Sequence, residues 1–368
     1  MHVLITGGGG FIGSHVCDEL LRCGHRVRVL DNLDAQVHES RARPSYLARE
    51  VELIVGDVRD RVQVEQALAG VDAVVHLAAC VGVGQSMYEI ERYTDVNDLG
   101  TAVLLQALSE RPVARMVVAS SMSIYGEGLM GDAAGAPRDQ AERTAEQLRH
   151  GRWELEDETG VPLRPLPTPE SKRPALTSVY ALGKFAQERM CLIVGRAYGI
   201  KTVALRLFNV FGTRQALSNP YTGVLAIFAS RLLNEKPPLI FEDGEQRRDF
   251  VHVRDVARAF RLALESDRAV GHALNIGSGS SVTIREVALR LARALGSDIA
   301  PVTTGRYRVG DIRHCFADPT QAERLLGFRA EVSPEDGLAE LVHWIESEVA
   351  VDRVETAQDE LARRGLVA

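Results

Sequence analysis

The sequence contains little that would support a metal centre, a disulfide framework or a membrane anchor. Its five cysteines are scattered along 368 residues, with no Cys-x-x-Cys pair and no nearby cluster of cysteine and histidine. This pattern indicates reduced thiols, so we predict no disulfides and no bound metal. No apolar run approaches the roughly 20 residues that cross a bilayer. Because the chain opens directly on a predicted strand, we expect a cytoplasmic protein without a signal peptide or membrane contact.

The sequence also lacks an excess of positive charge. Lys and Arg total 43 against 50 Asp and Glu, which gives a net charge of −7. Nucleic-acid-binding domains are usually basic, so we expect no nucleic-acid partner. A hydrophobic fraction of 45% and a charged fraction of 25% are ordinary for a globular protein. The length allows one large domain or two unequal ones.

Short apolar runs alternate with helix-like segments in the first half of the chain, which is typical of a parallel α/β sheet. Their nearly continuous Val, Leu and Ile content suits strands that are covered on both faces. Strands are predicted at 2–6, 25–31, 51–57, 72–79, 115–121 and 202–209, and helices at 11–23, 62–68, 97–110 and 179–198. We therefore predict an α/β fold, a Rossmann doubly wound parallel sheet that forms an NAD-binding domain over residues 1–206.

A smaller C-terminal α/β lobe is predicted for residues 207–368, with some segments returning to the first domain. Its expected elements are helices at 222–234, 254–266, 283–295 and 334–348, strands at 238–243 and 272–277, and a polar tail helix at 354–365. Residues 126–176, within the first domain, are rich in charge, Gly and Pro and show little periodicity. We interpret this insert as a lid or an interface arm, with disorder as the alternative.

Residues 6–13, TGGGGFIG, predict a dinucleotide-binding loop. Gly7, Gly10 and Gly13 lie between a strand and a helix, where they allow a tight turn and bring backbone N–H groups close to a pyrophosphate. Asp31 ends the next strand. Its carboxylate can accept hydrogen bonds from a ribose and would repel a 2′-phosphate, so the sequence predicts NAD rather than NADP.

Further cofactor contacts are expected at the start of the first helix and at the carboxyl ends of neighbouring strands. Small residues there would let the cofactor pass closely, although each could equally be a strand end shaped by packing. The set predicted at these places is Phe11, Ile12, Asp57, Val58, Leu77, Ala78, Ala79 and Ser120.

Residues 178–184, SVYALGK, place Tyr180 and Lys184 one helical turn apart on the same face. The pKa of a free phenol is about 10, and we expect the Lys184 ammonium and a positive nicotinamide ring to lower the pKa of Tyr180. Tyr180 would then remove a proton from a substrate hydroxyl, while Lys184 holds the nicotinamide ribose. Ser121, at the end of a predicted strand, would hydrogen-bond the substrate oxygen. The alternative is a surface helix and a serine that caps a turn.

The sequence resembles the extended short-chain dehydrogenase/reductase family, specifically its nucleotide-sugar epimerases and dehydratases, over nearly the whole chain. The matching motifs are TGGGGFIG, DN at 31–32, GDVRD, HLAA, SSMSIYG, YALGK, RLFNVFGTRQ, RRDFVHVRD and RVGD. The resemblance implies NAD-dependent chemistry on a nucleotide-diphosphate sugar, linked to dTDP or UDP. It adds Asn32 and Leu207 to the expected NAD contacts. It also implies a homodimer in which the helices at 97–110 and 179–198 pair across a two-fold axis.

The resemblance further implies which residues bind the sugar nucleotide. Arg248 and Arg308 match arginines that grip the diphosphate, and two guanidiniums suit a doubly anionic group. The other expected substrate contacts are Gln85, Ser86, Ser121, Ser123, Asn209, Asn219 and Asp311.

Residues 121–123 distinguish between the reactions of the family. The resemblance implies an acidic residue at this place in dehydratases and decarboxylating members, whereas this chain has Ser121, Met122 and Ser123. Oxidation at C4, rotation of the 4-keto sugar and return of hydride need no such acid, so a 4-epimerase is predicted.

The insert and the run GVGQSMYEI resemble bacterial dTDP-L-rhamnose 4-epimerases. Those relatives often carry paired cysteines in the insert, and this chain has none there. The resemblance leaves a UDP-glucose or UDP-glucuronate 4-epimerase as the alternative, followed by a dehydratase or reductase and by an NAD-binding sensor without catalysis.

Overall fold

The computed structural model describes the whole chain except residues 39, 140, 141, 222, 309, 347, 349–351 and 368. The strands are β1 His2–Thr6, β2 Arg26–Asp31, β3 Glu52–Val55, β4 Ala73–His76, β5 Arg115–Ser121, β6 Met130–Gly131, β7 Pro137–Arg138, β8 Arg164–Pro165, β9 Lys201–Leu207, β10 Asn209–Phe211, β11 Leu239–Ile240, β12 Arg247–Arg248, β13 Phe250–His252, β14 Ala273–Ile276, β15 Val282–Thr283, β16 Val302–Thr303 and β17 His314–Cys315.

The helices surround these strands. They are α1 Phe11–Arg22, α2 Arg61–Leu68, α3 Val83–Ser86, α4 Ile90–Tyr93, α5 Gly100–Glu110, α6 Ala145–Arg149, α7 Val179–Tyr198, α8 Val224–Leu233, α9 Val253–Glu265, α10 Ile284–Ala294, α11 Thr320–Leu326, α12 Pro334–Ile345 and α13 Val354–Arg363. A π-helical stretch, Thr94–Leu99, precedes α5, so the helix predicted at 97–110 begins in a different helical form. No helix among the described residues has the length and apolar character that a bilayer span requires.

Seven parallel strands form the central sheet in the order β14-β9-β5-β4-β1-β2-β3. Chain order reverses between β1 and β4, which creates the crevice where doubly wound sheets bind ligands. One apolar layer packs α1 and α9 against the sheet, with Val16 and Phe260 fully buried. A second layer on the other face contains Leu104 and Cys191, from α5 and α7. The predicted Rossmann fold is confirmed.

The C-terminal part of the chain forms a smaller lobe around its own core. Helices α8, α10 and α12 bury Phe228, Leu291 and Leu341 together with Phe211. Strand β14 lies in this part of the sequence but pairs with β9 at the edge of the main sheet, where Ala273 lies opposite Ala204. The division of the chain into residues 1–206 and 207–368 stays a prediction.

The described residues of the insert pack against the smaller lobe. Arg143 is buried and pairs with Glu127 of the insert at 3.1 Å and with Glu242 of the smaller lobe at 2.7 Å. Glu242 also pairs with the buried Arg313 at 3.0 Å. These buried side chains form a network of ion pairs, which holds the insert to the lobe.

Candidate active site

A cavity of about 720 Å³ opens along the carboxyl ends of the sheet strands, between the sheet and the smaller lobe. Every predicted NAD contact lines it, namely Gly7, Gly10, Phe11, Ile12, Gly13, Asp31, Asn32, Asp57, Val58, Leu77, Ala78, Ala79, Ser120, Tyr180, Lys184 and Leu207. Six predicted substrate contacts line it as well: Ser121, Ser123, Asn209, Asn219, Arg248 and Asp311. The two sets therefore share one space, although they are far apart in sequence.

The glycine loop after β1 can accept only residues without a side chain at two positions. A Cβ atom at Gly7, whose φ is +72°, would lie 2.8 Å from the backbone N of Ala78. A Cβ atom at Gly13 would lie 2.3 Å from the carbonyl oxygen of Gly7. The first turn of α1 contains no acidic residue, so its N–H groups and dipole favour an anion such as a pyrophosphate.

Asp31 is held rigidly at the end of β2. Its Oδ2 accepts a hydrogen bond from the backbone N–H of Gly9 at 2.9 Å, and its Oδ1 accepts one from Leu33 at 2.9 Å. A carboxylate oxygen can accept two hydrogen bonds, so each oxygen keeps one lone pair that can face ribose hydroxyls. Asp31 thus connects the glycine loop with the place where a ribose would bind.

Asp57 follows β3 in a network of hydrogen bonds. Hydrogen bonds from Arg59 outweigh burial and lower the pKa of Asp57 to about 2, and Asn32 contributes a hydrogen bond at 3.3 Å. Asp57 is therefore a carboxylate at physiological pH, and it fixes the side chains of Asn32 and Arg59 at the cavity wall.

Tyr180 and Ser121 meet where α7 begins and β5 ends. Ser178 caps α7 by accepting from the backbone N–H of Ala181 at 3.1 Å, which fixes the first turn that carries Tyr180. The backbone N–H of Tyr180 donates to Ser86 Oγ at 3.0 Å. Burial raises the pKa of the half-buried Tyr180, while a hydrogen bond with the Ser121 side chain opposes this rise.

Lys184 is bound within its own helix, and its expected effect on the pKa of Tyr180 stays a prediction. Lys184 Nζ donates to Gln187 Oε1 at 2.8 Å, and burial lowers the pKa of Lys184 to about 8. His76 lies behind it, where burial lowers the pKa of the imidazole to about 3 and keeps it neutral. The hydrogen bond from Ser121 favours the phenolate of Tyr180 against the effect of burial. Sequence reasoning missed Gln187 because no motif marks it, and it passed over His76 although His76 begins the HLAA motif.

Ser120 lines the cavity, but its hydroxyl is committed to the protein. It donates to Glu188 Oε2 at 2.7 Å, and Glu188 forms a two-pronged ion pair with Arg206 at 2.9 and 2.7 Å. This buried pair connects the end of β5 to α7 and β9. Ser120 therefore contributes shape to the cavity wall and stabilises the position of the neighbouring Ser121.

Arg248 is held at the opposite wall by backbone carbonyls. Its guanidinium donates to the oxygens of Arg247 at 3.0 Å and Arg313 at 2.9 Å, and to that of Ile312. Asp311 lies 3.7 Å away. A charge fixed by so many contacts needs no reordering to meet a phosphate.

Asn209 also faces the cavity. Its Oδ1 atom is buried and has no hydrogen-bond partner within the described part of the chain. An unpartnered buried acceptor is costly, which is consistent with a ligand donor at this position.

Gln85, Ser86 and Arg308 lie outside the cavity lining, and their substrate roles stay predictions. Gln85 Oε1 accepts from Tyr93 at 3.0 Å, and the Ser86 hydroxyl donates to Val83 O at 2.7 Å. The Arg308 guanidinium lies 4.2 Å from the centre of the Phe241 ring, and burial lowers its pKa.

Gln36 and Arg92 are among the lining residues that the sequence analysis did not name. Gln36 follows β2 in a loop, and Arg92 lies in α4. Gln36 follows Asp31 by five positions. Its place in the loop after the predicted ribose-binding acid could have marked it as a cavity residue. Arg92 carried no such signal, since a single arginine on a short helix is common.

The chain belongs to the NAD-dependent epimerase/dehydratase family, whose sequence model matches residues 3–149 and 159–277. A dTDP-L-rhamnose 4-epimerase of Burkholderia thailandensis is 36% identical over 352 residues, covering 94% of this chain and 95% of the relative. A dTDP-glucose 4,6-dehydratase of Streptomyces niveus is 29% identical over 94% of this chain and 92% of the relative.

Solved structures agree with this assignment. UDP-glucose 4-epimerase of Thermotoga maritima, in complex with UDP-glucose, matches with a TM-score of 0.77 and 31% identity over 94% of this chain and 99% of the other. The Thermus thermophilus UDP-glucose 4-epimerase complex with NAD matches with a TM-score of 0.74 and 32% identity, covering 95% of this chain and 100% of the other. The predicted family, the NAD cofactor and the epimerase class of the enzyme are confirmed, and the chain is of the nucleotide-sugar 4-epimerase type.

Proposed function

We propose that this enzyme inverts C4 of a dTDP-linked 6-deoxyhexose, with dTDP-L-rhamnose as the substrate. The observation that carries the proposal is that the side chains of Tyr180 and Ser121 are hydrogen-bonded to each other, while residues 121–123 contain no acid. The acidic residues that line the cavity are Asp31, Asp34, Asp57 and Asp311 among the described residues, and none belongs to residues 121–123. The 36% identity to a dTDP-L-rhamnose 4-epimerase supports the choice of sugar.

In the proposed mechanism, Tyr180 and Ser121 hold the oxygen at C4. Bound NAD supplies reversible hydride acceptance at the nicotinamide ring. Tyr180 removes the proton of the 4-hydroxyl as hydride leaves C4, so the C–H and O–H bonds break and a 4-keto sugar forms. Rotation of the ketone would present its other face to the cofactor, and Tyr180 would give its proton back to the oxygen as C4 is reduced. The sugar leaves with the opposite configuration and with no net oxidation.

Elimination of water would need an additional proton donor beside the leaving hydroxyl. Ser123 occupies the place where an acid would lie, and its hydroxyl already donates to Ser121 at 2.9 Å. A serine hydroxyl is a very weak acid compared with a carboxylic acid. This supports epimerisation over 4,6-dehydration.

The charges around the cavity favour a neutral sugar over a uronate. Arg59 pairs with Asp57 at 2.7 Å, and Arg92 pairs with Glu89 at 2.8 Å. Arg248, which we assign to the diphosphate, faces Asp311. Arg59 and Arg92 are already matched by carboxylates and Arg248 is assigned to the diphosphate, so a further carboxylate on the sugar would be poorly compensated.

The test is incubation of the purified enzyme with dTDP-L-rhamnose, UDP-glucose and UDP-glucuronate, with the product followed by NMR at the sugar C4 proton. Inversion of dTDP-L-rhamnose alone or fastest is the expected result. Preferred inversion of either UDP-sugar would replace the proposed substrate while keeping the reaction. Release of a stable keto sugar, or loss of water, would reject 4-epimerisation.

We also propose that the enzyme is a homodimer through α5 and α7. Leu182 and Ile193 of α7 are 52% and 58% exposed. They lie about three helical turns apart on one face. Leu99, which immediately precedes α5, is 50% exposed. Sedimentation of the enzyme at micromolar concentration should give the mass of two chains, and Ile193→Glu should give that of one chain.

A further inference from the structure

Gln36 joins the two sides of the cavity. It belongs to the loop that follows β2, next to the glycine loop. Its Nε2 donates to Gln85 Oε1 of α3 at 2.9 Å and to Asn219 Oδ1 of the smaller lobe at 3.3 Å. Its Oε1 accepts from Arg92 Nη1 of α4 at 3.1 Å. One side chain thus uses both ends of its amide to connect three separate segments.

The partners of Gln36 are each fixed by other contacts. Gln85 is buried and accepts from Tyr93. Asn219 is buried and accepts from the backbone N–H of Tyr221 at 3.1 Å. Because the partners are anchored independently, losing the amide of Gln36 would break the connection without removing its anchor points.

We call the three hydrogen bonds of the Gln36 side chain the Gln36 bridge. Arg92, one of its partners, is anchored as well. It pairs with Glu89 at 2.8 Å and with Asp34 at 3.2 Å. Asp34 precedes Gln36 by two positions in the same loop, so Arg92 holds this loop at a second point. The end of the loop that carries Gln36 is therefore presented to the cavity in a defined place.

The bridge lies at the wall of the cavity that takes NAD. Gln36, Arg92 and Asn219 all line that cavity, as do Asp31 at the end of β2 and Gly10 of the glycine loop. A ligand that occupies the space between the glycine loop and the smaller lobe can leave on this side only after these segments separate. Three hydrogen bonds to one side chain oppose that separation.

We propose that Gln36 is a positioning residue that retains NAD in the enzyme between turnovers. The inference rests on the proposed function in one respect: an epimerase must return hydride from the same cofactor that received it, so release of the reduced cofactor would strand a keto sugar. An enzyme that exchanged its cofactor at every turnover would gain nothing from such a bridge. The bridge itself acts on NAD alone.

The decisive measurement is the rate at which bound NAD exchanges with radiolabelled NAD in the purified holoenzyme, without sugar nucleotide. Gln36→Ala and the nearly isosteric Gln36→Glu should each speed the exchange by about 10- to 100-fold, as expected from the loss of the two neutral hydrogen bonds to Gln85 and Asn219 that both variants share. Gln36→Glu keeps an acceptor for Arg92 but cannot donate to Gln85 and Asn219. An equal effect in both variants would assign NAD retention to the hydrogen bonds that Gln36 donates to Gln85 and Asn219, and not to its contact with Arg92.

The control variant is Gln66→Ala, which changes an exposed glutamine of α2. Its exchange rate should equal that of the unmodified enzyme, and the Tm of all three variants with saturating NAD should stay close to the original value. Exchange at the original rate in both Gln36 variants would overturn the proposal. This outcome is separate from the NMR assay, since a wrong choice of sugar leaves the exchange rate unaffected, and a normal exchange rate leaves the epimerisation unaffected.

Discussion

Ser123 donates both its backbone N–H and its hydroxyl to Oγ of Ser121, at 3.1 and 2.9 Å. A serine oxygen has two lone pairs, and both are thereby filled. The proton of the Ser121 hydroxyl must then point outward, toward the oxygen of Tyr180 or of a substrate. This arrangement makes Ser121 a donor, which stabilises a phenolate on Tyr180 and, in the reverse step, a developing charge on the sugar oxygen.

Replacing Ser123 by alanine removes one of the two donors and frees a lone pair of Ser121. We expect kcat to fall about 10-fold, because losing one hydrogen bond worth about 1.4 kcal/mol raises the activation free energy by that amount. The pKa of Tyr180 should rise because its phenolate loses support, so the acid limb of kcat against pH should move to higher pH. Ser123→Thr keeps the hydroxyl and should restore both values. An unchanged pH profile in Ser123→Ala would remove Ser123 from this role.

Tyr180→Phe removes the proposed base while leaving the apolar ring in place. We expect kcat to fall at least about 100-fold, with the NAD content of the purified protein unchanged. NMR of the sugar measures kcat, and the absorbance of cofactor released from the denatured protein measures the NAD content. Tyr198→Phe, at the exposed end of the same helix α7, is the matched control and should turn over normally. Normal turnover of Tyr180→Phe would contradict the assignment of the base.

Arg248→Met removes the guanidinium that the carbonyls hold at the cavity wall. The KM for the sugar nucleotide should rise about 10- to 100-fold, the range of a hydrogen bond to a charged group, while NAD binding stays intact. The adjacent Arg247 is exposed, so Arg247→Met is a control of the same size and charge. Similar KM values in both variants would show that the diphosphate is bound elsewhere.

Glu154 provides a test of how the insert is held. Burial would raise its pKa, but hydrogen bonds from His314 at 2.8 Å and from Arg313 outweigh burial and lower the pKa to about 2. A carboxylate with a lowered pKa stabilises the fold above its ordinary pKa, and the stabilisation is lost as pH falls through the lowered value. Glu154→Gln should therefore be less stable than the original enzyme at pH 7.

The difference in free energy of unfolding between the two proteins should shrink as pH falls from about 4.5 toward about 2. Denaturant titrations at several pH values measure it. Glu158→Gln, at an exposed position of the insert, should match the original enzyme throughout. A Glu154 difference that stays constant with pH would show that its effect is not electrostatic.

The sequence by itself determined the parts of the site that depend on neighbouring residues. Gly7 and Gly13 follow a strand and begin a helix, and Tyr180 and Lys184 share one helical turn. These relationships are local, so backbone geometry fixes them before any long-range packing. The parallel sheet was predictable for a similar reason, since strands buried on both faces need continuous apolar runs. Asp31 ends β2 and lines the same cavity as the glycine loop because all parallel strands end at the same edge.

Only the tertiary structure decided which distant side chains meet. Gln36 contacts Asn219 although the two residues are 183 positions apart, and β14 returns to the main sheet beside β9. Such choices depend on how the two lobes pack and on which donors and acceptors remain unfilled there. Sequence spacing carries no record of either.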